Sequence, residues 1–204
     1  MKNLIIIYFS LFLVLPLFGF GQDFELIEVK RNIEQDTIKI YPIFENYQLG
    51  DYCFAIGHDP KSVDKFGLKL LVFDKNANLI FKSDAQEDNM TFTLKFFESK
   101  VNPNEILIFG HQSNEYSWGN QVYRFEKGRI KYLGLLDIAT HDQFDVPWDI
   151  STHTEIRKVG KNLRFDFVKD TLVFNPGGRK ESLVESEKIY YLWDGEKMVS
   201  KNNQ

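Results

Sequence analysis

The chain has 204 residues and a formal net charge of −4, with 25 Lys and Arg against 29 Asp and Glu, and a single cysteine. That balance lacks the basic stripe a phosphate-backbone binder needs, so nucleic acid is not an expected partner. One cysteine closes no internal disulfide, so the fold must rest on its apolar core.

The first 21 residues have the layout of a secretory signal peptide. Lys2 supplies a positive head, Leu4 to Phe20 an apolar run, and Gly19 and Gly21 stand at positions −3 and −1 of a cut before Gln22. The run of 17 residues sits at the lower edge of the roughly 17–25 that span a bilayer. Pro16 lies near its end, so cleavage is expected rather than a retained anchor. No cysteine adjoins the cut, which excludes a lipid-modified cysteine there. The expectation is an exported chain, periplasmic or extracellular, with no membrane span after signal removal. Residues 1–21 would form the signal and 22–204 one β-rich domain, a length that buries a full core in one unit.

Residues 22–31 fit a short helix or a strand. Thr37 to Tyr41 alternates apolar and polar residues, the period of a half-buried strand. Tyr52 to Ile56 is continuously apolar and holds Cys53, read as a small buried hydrophobe, with an intermolecular disulfide or a reactive thiol as the other reading. Leu68 to Phe73, the turn Asp74–Asn78 and Leu79 to Phe81 form a hairpin. Oxygen side chains at 74, 76 and 78 match the opening of a calcium loop, but Leu79 replaces the required glycine and Ala85 the closing glutamate. A turn is expected instead.

Thr91 to Phe96 alternates again, and Ile106 to Gly110 is an apolar run. His58 and His111 each follow a glycine, where a strand would end. Residues 111–123 read as a longer loop. His111, Tyr116, Trp118 and Asn120 form its candidate binding face, because rigid aromatics and adaptable polar groups make recognition surfaces. The rival reading puts Tyr116 and Trp118 in the core. Gln121 to Phe125 turns at Glu126–Gly128 and returns through Arg129 to Leu133. The pieces Ile106–Gly110 and Gly119–Phe125 together resemble one blade of a kelch-type propeller. The paired glycines and later tryptophan of that pattern are absent, and no site residue is carried over.

Between Asp137 and His153 the chain is dense in carboxylates and imidazoles: Asp137, His141, Asp142, Asp145, Asp149 and His153. His141, Asp142, Asp145, Asp149 and His153 are the candidate ligands of a divalent metal, or members of an acid–base pair. Trp148 is placed to line a pocket beside them. No spacing there matches a metal motif, and turn capping by Asp142 and Asp149 is the competing reading. Leu163 to Val168 alternates. Residues 177–188 read as a helical turn or a solvated loop. Ile189–Trp193, Asp194-Gly195 and Lys197–Val199 make a hairpin, since Asp-Gly tolerates the positive φ of a tight turn.

The expected fold is all-β, a single antiparallel domain built as a sandwich, a barrel or a small propeller, with little helix. Its strands are too short for an outer-membrane barrel. Gly-x-Ser-x-Gly and phosphate-cradling loops are missing. The functional expectation is a non-enzymatic binding domain whose partner is a protein or an envelope glycan, with no cofactor. The alternative is a metal-dependent or acid–base hydrolase using residues 137–153.

Overall fold

The computed structural model describes residues 22–33, 36–62, 67–85, 91–141 and 147–202. The expected signal peptide lies outside these residues. Among them no helix is long and apolar enough to cross a membrane.

The chain is nearly all strand, and every strand pair is antiparallel. After β1 (Phe24–Ile27), the strands β2 (Arg31–Asn32), β3 (Asp36–Ile38), β4 (Tyr41–Leu49), β5 (Tyr52–Gly57), β6 (Lys69–Phe73) and β7 (Leu79–Lys82) build a first sheet. A meander of β8 (Thr91–Ser99), β9 (Glu105–Ser113), β10 (Ser117–Glu126) and β11 (Arg129–Leu136) follows, and β1 returns to pair with β8. β12 (Ile138–His141) and β13 (Pro147–Trp148) open a small sheet. A 3-10 turn at Ser151–His153 leads into β14 (Thr154–Val159) and β15 (Asn162–Phe167). The hairpin of β16 (Thr171–Phe174) and β17 (Ser182–Glu185) joins the small sheet. β18 (Ile189–Trp193) and β19 (Met198–Asn202) complete a fourth sheet with β14 and β15.

The meander is the middle layer of a sandwich. Ile106, Ile108, Tyr123 and Phe125 face the first sheet, where they meet Tyr47, Phe54, Ile56, Leu70 and Val72. Leu107, Phe109 and Val122 face the other way, onto Ile156, Leu163, Phe165 and Tyr191 of the last sheet. This explains why β9 is an apolar run rather than an alternating one: all nine of its residues are buried. Strands with one wet face alternate as expected, β15 among them.

The two layers are tied where the described chain begins. The Asp23 N–H donates to the Ile156 carbonyl (2.9 Å), and the Asp23 carbonyl accepts from the Lys100 N–H (2.9 Å). Its carboxylate accepts from the Lys158 N–H (2.6 Å). One residue thus bridges the middle and last sheets.

Several turns form as their residues require. Asp74 accepts from the N–H groups of Asn76 (2.9 Å) and Asn78 (2.8 Å), so its carboxylate serves the turn. The segment at 22–31 holds no helix: Phe24–Ile27 is strand and a second strand opens at Arg31, with irregular chain between them. Of residues 177–188, expected as a helical turn or a loop, 177–181 are turn and loop and Ser186–Lys188 a 3-10 turn, but Ser182–Glu185 between them is a strand.

The expected loop at 111–123 is corrected. β9 runs on to Ser113 and β10 starts at Ser117, leaving only Asn114–Tyr116 between them. The polar residues that suggested a loop satisfy one another across the hairpin. Gln121 donates to Gln112 (3.2 Å), and His111 Nε2 lies 3.0 Å from Ser117 Oγ. His111 therefore sits within a strand and not at its end. A bulge between Ser117 and Asn120 places Gly119 at φ +92°, with its Cα against the Leu136 carbonyl where a Cβ has no room.

Cys53 is half-buried beside the apolar cluster of Ile43, Ala55, Leu71 and Phe73 on the outer face of the first sheet. Burial pushes its thiol pKa up, which favours the protonated form.

Candidate functional site

A groove of about 550 Å³ opens beside the start of β8. Its floor is the polar face of two paired strands. Thr91 stands opposite Ser113, and Thr93 opposite His111. One wall is Trp148 with Asp149 and Thr152. Trp148 is 57% exposed, and its ring lies 6.3 Å from that of His111. The opposite wall is the chain leaving β1, with Val29 and Arg31, backed by Tyr47.

The carboxylate of Asp149 is held by its neighbours. It accepts from the Ser151 N–H (2.9 Å), the Ser151 hydroxyl (2.7 Å) and the Asn120 amide (3.2 Å). These bonds brace the chain at Asp149–Ser151, where it enters the 3-10 turn directly after Trp148. Burial pushes the His111 pKa below its ordinary 6.5, partly offset by the charge of Asp149. The ring is therefore neutral at pH 7. Its neighbour Ser117 is fully buried and also accepts from the Gly119 N–H (3.1 Å). That hydroxyl stitches the bulge together and does not line the groove.

On the far wall, burial first and then the Glu45 carboxylate push the Tyr47 hydroxyl up to about 12. It donates to Glu45 (3.1 Å), and Arg31 pairs with the same carboxylate. The groove thus offers hydroxyls, an open indole, a neutral imidazole and a fixed carboxylate. These suit recognition by hydrogen bonding and stacking.

Of the four candidate binding residues, His111 lines the groove. Asn120 is fully buried behind it, bonded to Asp149. Tyr116 and Trp118 are half-buried and lie outside the lining. The Tyr116 ring packs on the backbone of Gly177.

Of the candidate metal ligands, Asp142 and Asp145 lie outside the described residues. Among the described residues no three His, Cys, Asp or Glu side chains gather to hold an ion. Asp149 serves the turn. His153 ends the 3-10 turn, and its carbonyl accepts from the Val168 N–H (2.9 Å). His141 is half-buried at the end of β12.

Asp137 sits at the junction of β11 and β12 rather than in the groove. Its carbonyl accepts from the Asn175 N–H (3.0 Å) and the Tyr191 hydroxyl (3.1 Å). Burial holds its carboxyl above the ordinary 3.8. Such a group favours the folded state when protonated. Its contribution falls as pH rises from 3.8 through the raised folded value, and the cost persists above it. Asp137→Asn is therefore expected to raise Tm at pH 7, with the gain vanishing near pH 3. An equal gain at both pH values in thermal melts would show that its charge is not the cause.

The groove residues missed by sequence reasoning are Thr91, Thr93, Ser113 and Tyr47. The threonines read only as the wet face of a strand, which they are. Nothing local signals that this face adjoins Trp148. Compared with protein-family models, with curated proteins and with solved structures, the chain matches none.

Proposed function

We propose that the chain is an exported, non-enzymatic binding domain whose partner, a protein or an envelope glycan, is held in this groove. One observation carries the reading: an indole left 57% exposed over a polar two-stranded floor. A large aromatic left this exposed retains its apolar area for a partner rather than for the core. Export rests on the layout of residues 1–21. The hydrolase alternative draws less support, because three hydrogen bonds from Ser151 and Asn120 commit the Asp149 carboxylate to the local turn.

The test compares the full chain with Trp148→Ala. The variant should keep its Tm within about 1 °C, since the side chain is largely solvated. It should lose at least about tenfold in affinity for immobilised envelope proteins or peptidoglycan fragments, the scale expected of an aromatic anchor. Unchanged retention on both matrices would refute the reading.

A further inference from the structure

The floor of the groove is polar and mostly sunk. His111 is 4% exposed and Ser113 5%, whereas Trp148 in the wall is largely exposed. The registers set Thr93 directly opposite His111 and Thr91 directly opposite Ser113. Such cross-strand partners share a face with their Cβ atoms about 4.5–5.5 Å apart, and the two pairs follow one another at about 7 Å, two residues of strand. Three hydroxyls and one imidazole thus form a compact patch. His111 is held rigidly within it. Its Nε2 lies 3.0 Å from Ser117 Oγ, and that hydroxyl accepts from the Gly119 N–H. Its Nδ1 has no hydrogen-bond partner among the described residues. A buried ring that lines a groove with one polar atom unpaired gains from an occupant that supplies the missing bond.

Charge does not select that occupant. Arg31 pairs with Glu45, and Asp149 is committed to Ser151 and Asn120. Lys95 and Glu28, also in the lining, carry opposite signs. The groove therefore has no excess of either sign with which to draw an ion. Its volume of about 550 Å³ falls within the roughly 300–1,000 Å³ of small-ligand sites. A flat protein surface would rest on the indole and leave the sunken floor unpaired, whereas a single ring can enter.

We propose that the occupant of the groove is an uncharged sugar ring of an envelope glycan, stacked on Trp148 and hydrogen-bonded through its hydroxyls to His111 and Thr93. This rests on the groove being the binding site and narrows what it binds. A pyranose has an apolar C–H face and a rim of hydroxyls. The face suits an open indole, which offers flat apolar area. Each hydroxyl both donates and accepts, so it satisfies an imidazole nitrogen in either tautomer and a threonine hydroxyl alike. Acidic or basic sugars would bring a charge that finds no counterpart in the groove, since its own charges are balanced or already engaged.

The test uses the full chain and trimers of N-acetylglucosamine, glucose and mannose, with trimers of galacturonate and glucosamine as acidic and basic controls. Each is titrated while the emission lost in Trp148→Phe and the ring-nitrogen NMR shifts of His111 are followed. At least one neutral trimer should move both signals and bind at least about tenfold more tightly than either charged control. Thr93→Val should weaken that trimer by at least about fivefold with Tm kept within about 2 °C, because it removes the hydroxyl and keeps a β-branched side chain on the strand. The proposal is overturned if no neutral trimer shifts the Trp148 emission, if a charged control binds as tightly as the best neutral one, or if Thr93→Val binds like the parent. It is overturned also if Trp148 responds while His111 does not, which would leave the sugar on the rim. Should the trimers fail while retention on immobilised envelope proteins still depends on Trp148, the groove reading stands and its occupant is a protein. Unchanged retention of Trp148→Ala on both matrices would remove the groove reading as well.

Discussion

Phe109→Ala is expected to destabilise the domain by about 3–5 kcal/mol, at the upper end for a core truncation. Phe109 is fully buried in β9 and faces the last sheet. Its ring lies 4.7 Å from that of Phe97 on the neighbouring strand and 6.1 Å from that of Phe165 across the sandwich. It thus fills the space between two layers, and both of its strand neighbours are hydrogen-bonded in register. Such a frame relaxes little, so the cavity stays open. For a domain of this size the loss corresponds to a fall in Tm of roughly 10 °C or more. Urea denaturation should show a lower midpoint at unchanged slope, because the surface exposed on unfolding is the same. Val101→Ala, at a side chain 74% exposed, should stay within about 0.5 kcal/mol. A loss below about 1 kcal/mol for Phe109→Ala would mean that the middle and last sheets do not share this core.

The same residue shows how the fold could be read before any coordinates. Ile106–Phe109 lacks alternation, and a strand without a wet face must be covered on both sides. That feature already implies a layered arrangement, and the alternating Thr91–Phe96 and Leu163–Val168 supply strands with one wet face. Choosing a sandwich over a barrel or propeller depends on which faces meet. Phe97 and Phe96 are adjacent in sequence yet belong to different cores, one against each flanking sheet. No local pattern tells a strand which of its two buried faces meets which partner.

The groove was less legible for a related reason. Polar residues from His111 to Ser113 resemble a loop in composition, but here they are buried strand residues whose side chains bond across the hairpin. Composition records polarity and is blind to whether a partner stands opposite. The register of β1 on β8, which pair only from Phe24–Ser99 to Ile27–Phe96, is harder still, because segments so far apart in sequence leave no mark on either one. Trp148 was visible as a pocket residue because a tryptophan among carboxylates departs from ordinary loop composition. Its partners in the groove were not.

Glu105→Gln is expected to cost about 2–3 kcal/mol, through lost charge rather than lost volume. The Glu105 side chain is 2% exposed at the start of β9. One oxygen lies 2.5 Å from Nζ of Lys158, which reaches over from the last sheet. The other lies 3.0 Å from Nε of Arg124 on the adjacent strand. That second approach is off the hydrogen-bond line, so it is an ion pair without a hydrogen bond. The Lys158 ammonium also lies 5.3 Å from the centre of the Phe24 ring. Removing the carboxylate takes the shared anion from Lys158 and Arg124, although Arg124 keeps its bond to the Glu126 carboxylate (3.1 Å). Each cation is about one-third exposed, and water screens part of the lost interaction, which keeps the cost below the ~3–5 kcal/mol of a fully buried orphan charge. Lys158→Met leaves the opposite orphan, a buried carboxylate with only the misaligned Arg124, and should cost at least as much as Glu105→Gln. The double variant removes both charges and should recover at least about 1 kcal/mol relative to the sum of the single losses. Additive losses in that cycle would show that the carboxylate and the ammonium do not stabilise one another. At this end the sandwich would then rest on the hydrogen bonds of Asp23, two through its backbone and one through its carboxylate, and on the packing of Phe24.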